Sequence, residues 1–196
     1  MSYIPLEEHL PGITGLLEYS RETAEPIREL TQILMRGPSS LSEGERELIA
    51  TVVSSGNGCV FCTTAHTAAA NTYYNDPSIC EMAKKDIEST PLGNRIKALL
   101  QIARLAGVGG KQVSEQAIDR AKENGATDLE IHDTVLIAAL FCLYNRYVDG
   151  LATHLPLDGS YYQELAGRLN KYGYRRVPEA YEQLKQKKTQ PNSNHH

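Results

Sequence analysis

The sequence has no tryptophan, two phenylalanines and four cysteines in 196 residues. Four cysteines are too few to staple a chain of this length, so stability must come from an apolar core. Neither sign of charge dominates: 20 Lys+Arg stand against 24 Asp+Glu, for a net charge of −4. That balance argues against a nucleic-acid partner, which needs a basic surface. Long apolar stretches are missing too. The longest, Val135 to Tyr144, has ten residues, and a membrane-spanning helix needs about 20. The first residues, Met-Ser-Tyr-Ile-Pro-Leu-Glu-Glu-His, lack the basic start and apolar stretch of a signal peptide. The expectation is a cytoplasmic protein with no membrane partner. With 41% hydrophobic residues, disorder is excluded, and one core burying roughly 70% of the unfolded surface is within reach.

No alternating β-branched run bounded by turns is present, so the fold class is all-α. Residues 1–25 read as an irregular N-terminal arm, 26–176 as a single all-helical domain, and 177–196 as a polar tail. From Pro26, Ile27, Leu30, Ile33 and Leu34 follow helical spacing up to Gly37-Pro38. Ser42 and Glu45 form a capping box that opens a helix carrying Glu47, Leu48, Ile49, Val52 and Val53. After Ser54-Ser55-Gly56-Asn57-Gly58, another helix is expected from about Cys59 to Tyr73 or Tyr74. In the second half, helices are expected up to Gly107, from Val113 to Asn124, and from about Ser160 to Leu169. Between the last two, Thr127 and Glu130 make a second capping box. It opens a long helix with Ile131, Val135, Ala138, Ala139 and Cys142 expected on one face. Each half thus offers a capping box before a strongly apolar helix, a loose internal similarity.

The residues that carry chemistry lie between Glu47 and His66. Cys59 follows a glycine-rich break at a helix start, where free N–H groups and the dipole favour a thiolate. Cys62 is one turn later, within reach of a disulfide. His66 is four residues further, on the same face as Cys62; it can take a proton from that thiol or, as imidazolium, stabilise the thiolate. If the two helices fold back on each other, Glu47 comes alongside His66 and orients its ring. Shifting a thiol from its ordinary value down by about two units needs roughly 2.7 kcal/mol. A helix N-terminus supplies on the order of 0.5–1 kcal/mol, so a partner such as His66 must supply the rest. The dipole favours Cys59 as the more acidic thiol, and the histidine favours Cys62.

Glu47, eleven residues, Cys59-x-x-Cys62, three residues and His66 resemble the alkyl hydroperoxidase D and carboxymuconolactone decarboxylase-like family. The likeness is strongest to its peroxidase-related branch, and the later Asn145-Arg146-Tyr147-Val148-Asp149-Gly150 extends it. This resemblance implies an all-helical fold, homo-oligomers and thiol-dependent reduction of hydroperoxides, with no haem, flavin or metal cofactor. It also implies that Cys62 is the peroxidatic thiol, that Cys59 resolves its sulfenic acid, and that Glu47 and His66 form the proton relay. The partners implied are a hydroperoxide substrate and a dithiol or small redox-protein reductant. One departure is Phe61, where alkyl hydroperoxidase D itself has a histidine between the cysteines. The decarboxylase branch lacks the cysteine pair, so decarboxylation is not carried over.

Rival readings use the same residues. The pair could serve a general thiol–disulfide oxidoreductase, or Cys59, Cys62 and His66 could act in a redox or zinc sensor. Cys80 and Cys142 read as passive thiols, with Cys142 in the core. His132 and Asp133 read as capping or surface residues. Tyr144, Asn145, Tyr147 and Asp149 are candidates for a neighbouring pocket or interface. Lys185, Lys187 and Lys188 read as a solvated tail.

Overall fold

Two capping boxes start the helices on which the core is built. Ser42 Oγ accepts from the Glu45 backbone N–H at 3.2 Å, and Glu45 Oε2 accepts from the Ser42 N–H at 2.8 Å. They open α3 (Glu43–Gly56). Thr127 Oγ1 and Glu130 Oε2 repeat the exchange at 3.2 and 2.9 Å and open α8 (Asp128–Gly150). Each such cap contributes about 1 kcal/mol. Arg95, on α6 (Asn94–Val108), holds both boxes together. It donates to Glu130 Oε1 at 2.6 Å and also to Glu45.

The computed structural model describes residues 2–179, 181 and 182 of the chain. Among them the chain is all-α, as expected, with no strand. The remaining helices are α1 (Ile13–Tyr19), α2 (Arg21–Arg36), α4 (Val60–Asn71), α5 (Ser78–Lys85), α7 (Glu115–Glu123) and α9 (Gly159–Tyr172), with a 3₁₀ turn at Gly110–Gln112. The core is continuous through α3, α4, α6 and α8. It includes Leu48, Ile49, Leu99, Ile102, Ile137 and Phe141, all fully buried or nearly so. No described helix is long and apolar enough to cross a membrane.

α1 lies within residues 1–25, where an irregular arm was expected, and three further elements differ from the sequence reading. First, α2 starts at Arg21, so Pro26 sits inside it, not at its start. A proline removes one backbone donor; here the first turn is already anchored by Ala24, which is 1% exposed and donates its N–H to the Ser20 carbonyl. Second, α5 is unexpected. It is short and buries Cys80 and Ala83, and burial pushes the Cys80 thiol up to about 11, which fits a passive role. Third, the buried face of α8 is rotated from the expected stripe. Ile131 and Ala138 are buried, but Val135 and Cys142 are half-buried and Ala139 is exposed. The core side instead runs through Thr134, Ile137, Phe141, Tyr144, Asn145 and Val148. A helix apolar on several sides gives no single face to read, and its polar inward residues disguise the true one. The lysines at 185, 187 and 188 lie outside the described residues.

The arm before α1 packs over the start of α4. Gly12 donates its N–H to the His154 carbonyl at 3.0 Å and has φ +58°. A Cβ at Gly12 would stand 2.3 Å from the Phe61 ring. Both the backbone and the space therefore demand glycine here. Gly12→Ala is expected to lower stability by roughly 1–3 kcal/mol. Urea unfolding followed by far-UV circular dichroism measures it; a neutral effect would mean that the arm does not hold Phe61.

Candidate active site

The site is built on a helical hairpin. α3 ends at Asn57 and Gly58, and α4 begins immediately after Cys59, its N-cap residue. The turn is pinned to α8 through Asn145. Asn57 Nδ2 donates to Asn145 Oδ1 at 2.8 Å, and Asn145 Nδ2 donates to Ser54 Oγ at 3.0 Å. The hairpin brings Glu47 of α3 to His66 of α4, 19 residues on: Glu47 Oε2 lies 2.7 Å from His66 Nδ1.

Glu47 is fully buried. A lone carboxylate there would be strongly disfavoured, but it has two further partners. Arg36 Nη2 and the Tyr174 hydroxyl donate to its Oε1 at 2.6 and 2.7 Å. Burial raises the Glu47 carboxyl, but the hydrogen bond and charge of His66, the charge of Arg36 and the Tyr174 hydrogen bond outweigh it and hold it below its ordinary value. Burial opposes the Arg36 charge, and the Glu47 carboxylate overcomes it and raises the guanidinium further. Burial and the same carboxylate push the Tyr174 phenol well above its ordinary value, so it stays a donor. With Glu47 ionised, Nδ1 of His66 carries the proton and Nε2 is left as the basic nitrogen. The ring is held edge-on to Phe141 at 4.5 Å between centroids and parallel to Tyr174 at 6.3 Å.

Neither Arg36 nor Tyr174 was expected from the sequence. Arg36 is the last residue of α2. Tyr174 follows α9 and is placed by Gly173, which has φ +68° and whose Cβ would fall 2.2 Å from Gln32 Oε1. That same oxygen accepts the Tyr174 backbone N–H at 2.7 Å. The one available signal was indirect: a carboxylate expected on a helix that buries nearly every side needs a cation.

Cys59 and Cys62 are both buried, at 0% and 3% exposure, and both are free thiols. The hydrogen bond that the Cys62 thiol donates to the Cys59 sulfur, together with burial, pushes the Cys62 thiol up, while a hydrogen bond from Asn145 works the other way. In the resting reduced pair, Cys62 therefore keeps its proton. A cavity of about 80 Å³ reaches the site, and Cys62 and His66 are both in its lining together with Phe61 and Phe141. Cys59 is not. His132 and Asp133 pair with each other at 3.0 Å, with His132 exposed. Among the described residues, no cluster of three or more His, Cys, Asp or Glu is placed to hold a metal ion.

Residues 21–72 match the carboxymuconolactone decarboxylase family. Solved structures share most of the architecture. One is an uncharacterized peroxidase-related protein from Silicibacter sp. TM1040, 28% identical, with a TM-score of 0.70 over 78% of each chain. The chain has an alkylhydroperoxidase D-like fold. A second neighbour from Ralstonia eutropha JMP134, described as an alkylhydroperoxidase AhpD core, is 23% identical with a TM-score of 0.71 over 80% of each chain. A third, a protein of unknown function from Agrobacterium tumefaciens, is 19% identical with a TM-score of 0.65. It covers 73% of this chain and 97% of its own. The last two speak for the fold alone. No curated protein matches. The resemblance read from residues 47–66 stands on the family match and these neighbours together.

The buried carboxylate gives a pH test. Because the Glu47 carboxyl is lowered by folding, its contribution is fully present above its unfolded value and is lost as pH falls through the folded one. Glu47→Gln leaves Arg36 short of its counter-charge and is expected to cost on the order of 3 kcal/mol at pH 7. The gap between the two proteins should narrow as pH falls below about 4.3, the ordinary value for Glu. Denaturant midpoints across pH 3–7 measure this, and a gap independent of pH would refute an ionised Glu47.

Proposed function

We propose that this protein is a cysteine-based peroxidase that reduces organic hydroperoxides. The observation that carries the reading is the 2.7 Å contact between a fully buried Glu47 and His66, with His66 and Cys62 lining one cavity. The family match and the peroxidase-related neighbour support it.

Cys62 holds its proton at rest, so a base must take it. His66 Nε2 is that base, either directly or through one water, and Glu47 stabilises the imidazolium that forms. The Cys62 thiolate attacks the terminal peroxide oxygen. The O–O bond breaks, the alkoxide takes a proton from His66 and leaves as the alcohol, and Cys62 becomes a sulfenic acid. The Cys59 sulfur then attacks Cys62; an S–S bond forms and water leaves. A dithiol or small redox protein reduces the disulfide by exchange. Because Cys59 is 0% exposed, that exchange requires the start of α4 to open to the reductant. Phe61, which stands where alkyl hydroperoxidase D has a histidine, adds no proton carrier. It is 1% exposed and packs on the Tyr162 ring at 5.8 Å between centroids, so the proton path runs through His66.

Burial of both sulfurs favours a small peroxide over a bulky protein disulfide as the oxidant. The site is expected to work as part of a homo-oligomer in the cytoplasm.

Cys59→Ser protein mixed with excess hydroperoxide is expected to accumulate a sulfenic acid at Cys62, trapped by dimedone and located by mass spectrometry. Failure to trap it in folded protein would remove the peroxidase reading. His66→Asn is expected to slow thiol oxidation about 10²–10⁴-fold, measured by stopped-flow tyrosine fluorescence; an unchanged rate would take His66 out of the relay.

A further inference from the structure

The cavity that reaches Cys62 and His66 also contains a buried cation with an unused donor. Arg28, on α2, is 4% exposed and lines the cavity. Its Nη2 donates to Glu18 Oε1 and to the Tyr181 hydroxyl, both at 2.8 Å. Its Nη1 is buried and has no hydrogen-bond partner among the described residues. Glu18 does not belong to Arg28 alone, because Arg176 and Arg21 reach the same carboxylate at 3.0 and 3.2 Å. A second cation in the lining, Arg168, lies over the Tyr181 ring at 5.7 Å. This end of the cavity therefore gathers several arginines around the Glu18 carboxylate. A buried guanidinium N–H without an acceptor is costly, and a ligand oxygen would relieve it.

The other walls are apolar, with Phe61, Phe141, Leu165 and Leu169 among them. Tyr144 lines the cavity as well, together with Arg28 and Cys62. A volume of about 80 Å³ is roughly half of the ~150 Å³ that holds a benzene ring, so the cavity admits a short, slender chain and not a bulky one. We infer that the cavity selects hydroperoxides whose carbon skeleton ends in a carboxylate, bound by Arg28 while the peroxide meets Cys62. A free guanidinium NH2 in an apolar chamber suits a singly charged, planar carboxylate better than a phosphate dianion. The inference rests on the peroxidase reading for its reaction, but the carboxylate site can be measured without it.

Two measurements test it. Isothermal titration of the reduced protein with hexanoate and with its neutral isostere hexanamide reads binding alone. Hexanoate is expected to bind more than about tenfold tighter, with the preference lost in Arg28→Gln. Stopped-flow oxidation by a carboxyl-bearing alkyl hydroperoxide and by its primary amide reads selectivity. The acid is expected to show a kcat/KM about tenfold higher in the unsubstituted protein, a comparison that needs no variant to fold. Equal values for acid and amide in both measurements would overturn the inference and leave the peroxidase reading untouched. A preference that survives in folded Arg28→Gln would overturn the assignment to Arg28. No oxidation by either hydroperoxide would overturn the peroxidase reading and the selectivity with it, while the titration would still report the carboxylate site.

Discussion

A negative charge with no exposure sits at the centre of this fold. Glu47 lies on α3, a helix buried along most of its length, where its neighbour Arg46 donates to the backbone carbonyls of α2 and its C-cap instead. Its partners come from elsewhere: Arg36 from the end of α2, His66 from α4, and Tyr174 from beyond α9. Three separate stretches of chain must therefore converge on one carboxylate. Such buried networks rarely add net stability, because desolvation consumes most of the electrostatic gain. What this one does is fix a geometry. Arg46 supports it from below, donating Nη1 to the Leu34 and Gly37 carbonyls at 3.1 and 2.9 Å, so that the end of α2 is tied to the start of α3 close to Arg36. With both oxygens of Glu47 engaged, the His66 ring can point its free nitrogen in one direction only.

The cysteine–histidine part of the site was legible in the sequence because its spacings are local. Three and four residues apart on a helix means one face, and a glycine-rich break between two apolar helices means a hairpin. Those rules survive tertiary folding because they depend on backbone geometry alone. Arg36 and Tyr174 were not legible for the opposite reason. Tyr174 is 127 residues from Glu47, and what places it is one backbone hydrogen bond to Gln32 and a left-handed glycine. No periodicity announces such a contact. The face of α8 was misread because Thr134 and Asn145 point inward while Ala139 points out. Asn145 is inward for a reason that hydrophobicity cannot encode: its amide joins the α3–α4 turn to α8 through Ser54 and Asn57. Pro26 misled in a similar way. A preference for helix starts yielded to the packing of Ala24 one turn earlier.

The arrangement of charge along the cavity bears on how a buried thiol can be both protected and reactive. Cys62 is held protonated by burial and by Cys59, a state in which it is a poor nucleophile. Lowering its proton affinity permanently would need a fixed cation beside the sulfur, and would expose a thiolate to every oxidant small enough to enter. The structure instead puts the fixed cations at the Arg28 end of the cavity, and lines the same cavity with the thiol and the His66 imidazole. On the proposed mechanism the thiolate then exists only while His66 holds its proton, and Glu47 makes that state accessible without making it permanent. Asn145 adds a hydrogen bond that favours the charged sulfur but, being neutral, carries no charge to stabilise it at rest. A substrate whose anionic end occupies Arg28 would bring its peroxide to Cys62 at the moment the proton can move. Selectivity would then follow from where the protein keeps its charges, since the thiol itself offers none.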